Sequence, residues 1–436
     1  MMNSILFMII LIINIMIYQN NKKVNLKAKI LRYIKYGKKY DTDINKKEEN
    51  ILISDINYVR LIKNKQIKPL INYSLENVPK LSFVSSVYNK GKYIDLLIIS
   101  IQTLQDLEFE ITLFLNNITN SFYFKFCCFI TKDCSRNSIF VDDCSKDKSI
   151  NVIKHYMKID KRIKLIKNKR NKGSLYSRSI GAFNSKAEYI IFVDSDDIII
   201  SRGIFNIYKF ISNRNLSMVQ YNSLIQKKGF ISVNKLYDKY KNIITQPLLS
   251  YIFYFDNNTP GERNSGLWDK IIKREIVIKS LLFIGKNYIS KNIRIENDVI
   301  LLFSILKNSN SYQYINEFGY YYIRTHNESI SNKWEDPKIA DDIIKSIVFT
   351  VDFLFEKTEN TSLDKQFSSF KLKQSLNRYK LCFKYSKYGR KLIKNIFDKL
   401  LKSEFISNRD KLHLMNFETE ISFLKGDTKY LFLKKI

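Results

Sequence analysis

The chain has 436 residues, 45% of them hydrophobic, with 73 Lys and Arg against 42 Asp and Glu and a formal net charge of +31. That length accommodates one large α/β domain with additions, while five cysteines and three histidines without ligand spacing imply neither a disulfide framework nor a zinc site. So basic a chain raises nucleic-acid binding, but its Lys is spread throughout beside abundant Ile and Asn and scarce Gly and Pro, as coding bias produces; no nucleic-acid partner is expected, and general attraction to anionic substrates or an anionic membrane face is the milder consequence.

The chain opens on an apolar stretch from Ile5 to Tyr18, broken by Asn14 and followed by Lys22, Lys23, Lys27 and Lys29. It is shorter than the roughly 20 residues of a spanning helix. Residues 1–20 are read as an anchor or signal that attaches the chain to a membrane. The following lysines would keep the remainder cytosolic under the positive-inside rule, whereas a signal anchor would put it in the secretory lumen. Residues 21–79 are polar, Lys-rich and weakly patterned, and read as a basic stem.

Leu81-Ser-Phe-Val-Ser-Ser86-Val-Tyr88-Asn89-Lys90 then reads as a short strand, followed by an apolar helix to Gln102. Ile139-Phe-Val-Asp142-Asp143-Cys144-Ser145 is a second strand ending in carboxylates, with Ser145 placed to cap a helix from Ser149 to Met157. Arg162 to Ile166 is a third strand, and Asn171-Lys172-Gly173-Ser174 opens a helix containing Arg178 and Gly181. That helix leads into Tyr189-Ile-Ile-Phe-Val-Asp194-Ser195-Asp196-Asp197, a β-branched and aromatic run that stops on three carboxylates. Such a run suits a strand buried on both faces of a parallel sheet. Strand and helix alternate in the βαβ rhythm of a nucleotide-binding sheet, where ligands sit beyond the carboxyl ends of the strands. Asp194 and Asp196 are two apart, so on extended chain they point the same way. They form a hard oxygen site for Mg²⁺ or Mn²⁺ that substrate phosphates would complete; a polar strand-end turn is the plainer reading of the same residues.

This succession resembles the family 2 glycosyltransferases, inverting enzymes of the GT-A fold. The Tyr88-Asn89 pair, Val141-Asp142-Asp143 with Ser145, Asn171 to Arg178, and Asp194 to Asp197 follow the family's order. Further matches are Gly266-Leu-Trp268-Asp-Lys270, then Glu296-Asn297-Asp298, then Gly319 to Arg324 and Ser329-Ile-Ser331. The resemblance covers residues 80–332, with a nucleotide-binding half at 80–215 and an acceptor half at 216–332; residues 333–436, with Ile343 to Phe349 at helical spacing, read as a helical appendage.

The resemblance implies a metal-assisted transfer from a nucleotide-sugar donor, a UDP-sugar by its pattern, to a glycan, lipid or protein hydroxyl. Asp196 is then the principal metal ligand, with Asp194 beside it directly or through water. Asp143, with Asp142 adjacent, corresponds to the uracil contact, against helix capping as the plainer role. Ser86 and Tyr88 end the first strand on the nucleotide side, although the family usually has Pro at the place of Ser86. Arg178 matches a nucleotide-side Arg, and Gly173 permits close backbone approach to the nucleotide. Asp197 either contacts the donor ribose or sugar or caps the next segment. Asp298 matches the catalytic base, although here the family's Glu-Asp pair reads Asn297-Asp298 with Glu296 before it, and Asp298 stands equally well as a helix cap. Trp268 fits an aromatic wall for a sugar ring or a core position, and Arg324 and His326 fit phosphate contacts or a solvated face.

Two other readings stand beside this one. A catalytically inactive, membrane-tethered family member acting as a binding or scaffold protein accounts for the altered Glu-Asn-Asp motif. A nucleotidyltransferase on a similar sheet lacks support, because no Gly-rich basic loop follows the first strand. One segment breaks the pattern: joining Ile111 to Ile139 would give the unbroken strand Phe-Glu-Ile-Ile-Phe-Val-Asp-Asp, yet residues 112–138 intervene. They are either a retained intron or a loop extruded at the amino-terminal edge of the sheet.

Overall fold

The computed structural model describes residues 80–102, 136–227, 230–234, 242–245, 266–293, 295–323 and 335–357. The expected anchor, stem and most of the intervening segment lie outside these residues, as do Arg324, His326 and the chain after residue 357.

The first half is built as expected. β1 (Leu81–Val87) leads to α1 (Ile94–Gln102), β2 (Arg136–Asp142) to α2 (Ser149–Ile159), β3 (Ile163–Lys167) to α3 (Ser174–Asn184), and β4 (Tyr189–Asp194) follows. These four strands run parallel in the order β3-β2-β1-β4. β4 is buried on both faces because its side chains alternate between two cores. Ile190 and Phe192 enter one core with Val84, Leu175 and Ala182, while Tyr189, Ile191 and Val193 enter the other with Phe83, Leu97 and Ile98. Helix α3 lies close on β1 because Gly181 has no side chain; a Cβ there would run into Val84.

The second half extends the same sheet. After β5 (Ile198–Ile199) and α4 (Ser201–Arg214) come β6 (Met218–Lys227), β7 (Phe230–Asn234), β8 (Ile244–Thr245) and β9 (Lys270–Lys273). Then follow α5 (Arg274–Ile284), α6 (Lys286–Ile289), α7 (Asn297–Asn308), β10 (Ser311–Ile323) and α8 (Pro337–Lys357). Beyond β4 the path continues β9-β6-β10-β5, with β9 antiparallel to both its neighbours and β6 parallel to β10. The longer ladders are the parallel ones, so the expected mostly parallel α/β sheet flanked by helices is present, with β9 as the point of reversal. Helix α7 is apolar around most of its circumference, from Val299 to Leu306, because it is packed between α5 and α8 and not laid on a surface. Among the described residues no helix is long and apolar enough to cross a membrane.

Two local expectations are corrected. Ser145 does not cap α2, whose N-cap position is Lys148, which makes no side-chain capping bond; the Ser145 Oγ instead accepts the backbone N–H of Asn89 at 3.0 Å. β2 begins at Arg136 and pairs from there with Leu81 of β1, so residues 136–138 of the intervening segment are strand.

Candidate active site

Strand register brings the sequence motifs to one level. Ser86 of β1 lies opposite Asp194 on one side, and Val87 lies opposite Asp142 on the other. The carboxyl ends of β2, β1 and β4 therefore form one rim, as expected for a ligand site in such a sheet. Tyr88 stands on this rim, 44% exposed, and Ser86 is half-buried beneath it.

The four carboxylates of the rim meet different environments. Asp194 Oδ1 accepts from Arg178 Nη2 at 2.8 Å, and Asp196 Oδ2 from Lys90 Nζ at 2.6 Å. Burial, only partly offset by Arg178, raises Asp194 above its ordinary carboxylate range. Burial also works against the charge on Lys90, but Asp196 outweighs it and the net shift is upward. Asp142 is buried; its Oδ2 accepts from the Ser145 N–H at 3.2 Å, and its Oδ1 has no partner among the described residues. Asp143 accepts from the Lys172 and Gly173 N–H groups and from Asn168 Nδ2, each at 2.8 Å. It therefore shapes the turn into α3 and caps no helix, and most of its acceptor capacity is already occupied by that turn.

Other residues of the rim have protein partners as well. Asp197, 1% exposed, faces β10: its oxygens accept from Tyr320 Oη at 2.7 Å and from the Ile323 N–H at 2.8 Å. The same Tyr320 hydroxyl accepts the Asp194 N–H at 3.0 Å, so it locks the acidic turn in place. Burial, and then the charges of Asp196 and Asp194, push Asp197 well above the carboxylate range. Its bonds to β10 give it a structural role, and α4 begins only at Ser201, beyond its reach as a cap. Gly173 is required by the backbone itself: at φ 87° it adopts a conformation that favours glycine, and a Cβ would meet Asn292 Oδ1 at 2.7 Å.

Arg178, expected on the nucleotide side, is only 6% exposed and turns both terminal nitrogens onto the protein. Besides Asp194 it donates to Asn297 Oδ1 at 2.6 Å and to Asp298 Oδ1. Burial disfavours its charge, but Asp298 and Asp194 outweigh that and its shift is upward. One guanidinium thus joins the acidic end of β4 to the first turn of α7, which its planar fork makes possible. Asp298 does not cap α7: the N-cap position is Glu296, in a left-handed conformation and making no side-chain capping bond, and Asp298 meets Arg178 instead. Its side chain remains one-third exposed beside the rim.

Trp268 forms the neighbouring wall. It is half-buried, stacks on Tyr320 with centroids 4.9 Å apart, and leans on Tyr322 at 5.6 Å. Behind it lies a buried polar knot that the sequence reading did not assign. Lys270 Nζ donates to Gly266 O at 2.6 Å and pairs with Asp269 at 2.5 Å, and Gln220 Nε2 donates to Asp269 Oδ2 at 2.7 Å. Burial lowers Lys270 and raises Asp269, each opposing the other's shift. Lys90, Asn297 and Tyr320 were likewise missed as site residues; the position of Lys90 directly after Tyr88-Asn89 was the one available signal.

A divalent cation has a fitting donor set here only in part. No group of three or more His, Cys, Asp or Glu side chains among the described residues is arranged to hold a metal. Asp194 and Asp196 each keep one oxygen outside the ion pairs given above, and two carboxylates with substrate phosphates suffice for Mg²⁺ or Mn²⁺.

Comparison with known proteins bears on this rim. Residues 135–274 match the family described as Glycosyl transferase family 2. An uncharacterized glycosyltransferase of Haemophilus influenzae is 29% identical over 148 residues, covering 34% of this chain and 48% of that protein. The putative teichuronic acid biosynthesis glycosyltransferase TuaG of Bacillus subtilis is 26% identical over 206 residues, 46% of this chain and 72% of that protein. The chain spans about half the length of the first curated relatives it matches, at 48%, 52% and 50%. Among solved structures, S. aureus TarS 1-349 in complex with UDP-GlcNAc is 16% identical with a TM-score of 0.49, covering 80% of this chain and 89% of that one. The family match runs from β2 to β9 and takes in the Asp142-Asp143 and Asp194 to Asp197 motifs of the rim, so over that stretch the chain is similar to glycosyl transferase family 2.

Proposed function

We propose that this chain is a glycosyltransferase that moves a sugar from a nucleotide-diphosphate donor, a UDP-sugar on this reading, to an acceptor hydroxyl with inversion. The observation that carries the proposal is the Arg178 bridge, which ties the acidic end of β4 to Asp298 across the rim. Asp194 and Asp196 would hold a divalent Mn²⁺ or Mg²⁺ ion, which when bound neutralises charge on the departing diphosphate. Tyr88 and Ser86 border the nucleotide side. The buried Asp142 Oδ1 lacks a partner among the described residues, and a nucleobase N–H is a donor that would satisfy it.

Asp298 is the base on this reading. Arg178 holds one of its oxygens, which fixes the carboxylate's direction and leaves the other for an acceptor hydroxyl proton. One carboxylate removing that proton on the face opposite the leaving diphosphate gives inversion. Trp268, backed by Tyr320, offers the flat apolar surface on which a sugar ring packs. The acceptor is a glycan, lipid or protein hydroxyl. The apolar stretch from Ile5 to Tyr18 supports attachment to a membrane; co-sedimentation of the full chain with membranes, lost on deletion of residues 1–20, tests this.

A panel of UDP-sugars with Mn²⁺, scored for UDP release, tests the activity. A second reading has one observation in its favour: Asp194, Asp196 and Asp298 are all held in ion pairs. A family member that keeps the fold as a binding protein would bind UDP yet release none from any donor.

A further inference from the structure

The loop after β1 carries a cation that the reaction as described leaves unused. Lys90 Nζ reaches across to Asp196 Oδ2 at 2.6 Å, 106 residues further along the chain. The backbone that carries it is tied down on both sides. Asn89 adopts a left-handed φ of 53°, donates its N–H to Ser145 Oγ at 3.0 Å, and accepts the Lys146 N–H on its side chain at 2.9 Å. The Lys90 N–H donates to Ser149 Oγ, and the Gly91 N–H to Asp147 Oδ2, both at 2.8 Å. The root of Lys90 is therefore fixed, while its side chain is about one-fifth exposed and ends on the carboxylate assigned to the metal.

We propose that Lys90 is a movable counter-cation: it neutralises Asp196 while the donor site is empty and passes to the donor's diphosphate when a divalent cation takes Asp196. The assignment rests on the donor-site reading given above. An ammonium and a divalent ion on the same carboxylate repel each other at contact distance, so they compete for it. Lysine carries a compact point charge on a flexible four-carbon stem, which lets the charge shift while the backbone stays in place. The diphosphate arriving beside Asp196 is the anion that would receive it. Lys90 thus has opposite effects on two ligands: it weakens binding of the free metal and strengthens binding of the nucleotide.

Calorimetric titration of the full chain tests this, first with Mn²⁺ alone and then with UDP in saturating Mn²⁺. In Lys90→Met the Mn²⁺ affinity is expected to rise roughly tenfold and the UDP affinity to fall roughly tenfold, the consequence of moving one unit charge by a few ångströms in a partly solvated site. Lys90→Gln, which keeps a hydrogen-bond donor toward Asp196, is expected to move both constants in the same directions. A lysine that merely braced the loop would weaken both ligands or neither when removed, and either result overturns the proposal. A wild type that fails to bind UDP removes the donor-site reading, and this assignment with it. A wild type that binds UDP while both variants match it overturns the role of Lys90 alone.

Discussion

Removal of Arg178 is the most demanding perturbation of this site. The guanidinium is buried and serves Asp194 at 2.8 Å, Asn297 at 2.6 Å and Asp298. Each charged hydrogen bond contributes about 1.5–3 kcal/mol. The two carboxylates are about one-third exposed, so water takes over part of their solvation once the arginine is gone. Arg178→Met should therefore cost about 3 kcal/mol, near the low end for breaking a buried pair. At about 2–4 °C per kcal/mol this is a drop of about 6–12 °C in melting temperature. Arg178→Lys keeps the charge but reaches one carboxylate at most, and should lose about half as much. The catalytic loss should exceed the stability loss. Asp298 would no longer be aimed by a second residue, and misplacement by about 1 Å costs roughly 10²-fold. UDP release from a donor the wild type accepts, measured beside differential scanning fluorimetry, reads both effects. An Arg178→Met protein that melts within about 1 °C of wild type and turns over normally would refute the bridge as an organising element.

Three further outcomes are expected. Asp298→Asn keeps an acceptor for Arg178, so its melting temperature should stay close to wild type while turnover falls by roughly 10²–10⁴; normal turnover would remove Asp298 as the base. Asp196→Ala should leave stability within about 1 kcal/mol, since its pair with Lys90 is partly exposed, yet it should abolish Mn²⁺-dependent UDP binding, and EDTA on the wild type should do the same; UDP binding that survives both would remove the metal role. Burial opposes ionisation of Asp160, but the Arg162 guanidinium and backbone beside it outweigh burial and hold its carboxyl below the usual range. A depressed folded value gives stability that is present above the unfolded value of about 3.9 and lost as pH falls through the folded one. Asp160→Asn should thus be less stable than wild type by about 2 kcal/mol at neutral pH, with the gap closing in melts taken progressively below pH ~4; a gap independent of pH would contradict that assignment.

Much of the architecture was legible along the chain because the signals were local. A run such as Tyr189 to Val193 cannot bury itself except as a strand covered on both faces, and Gly173-Ser174 with the apolar spacing after it announces α3. Register then follows from burial, since slipping β4 by one residue would exchange its two cores. The acidic stop at Asp194 and Asp196 lies at the rim for the same reason: it is where the apolar pattern ends.

What each polar side chain does at that rim was decided by partners distant in sequence. Asp194, Asp196 and Asp197 stand together in one motif, yet Arg178, Lys90 and Tyr320 give each a different partner. Arg178 was read as a nucleotide-side residue, and its buried partnership emerged only when α7 brought Asn297 and Asp298 to it from about 120 positions away. Apolar residues declare themselves by periodicity, because burial requires a continuous face. A charged group carries no such pattern: the cost of burying it is met by one specific partner, and only the folded chain brings that partner within hydrogen-bond reach.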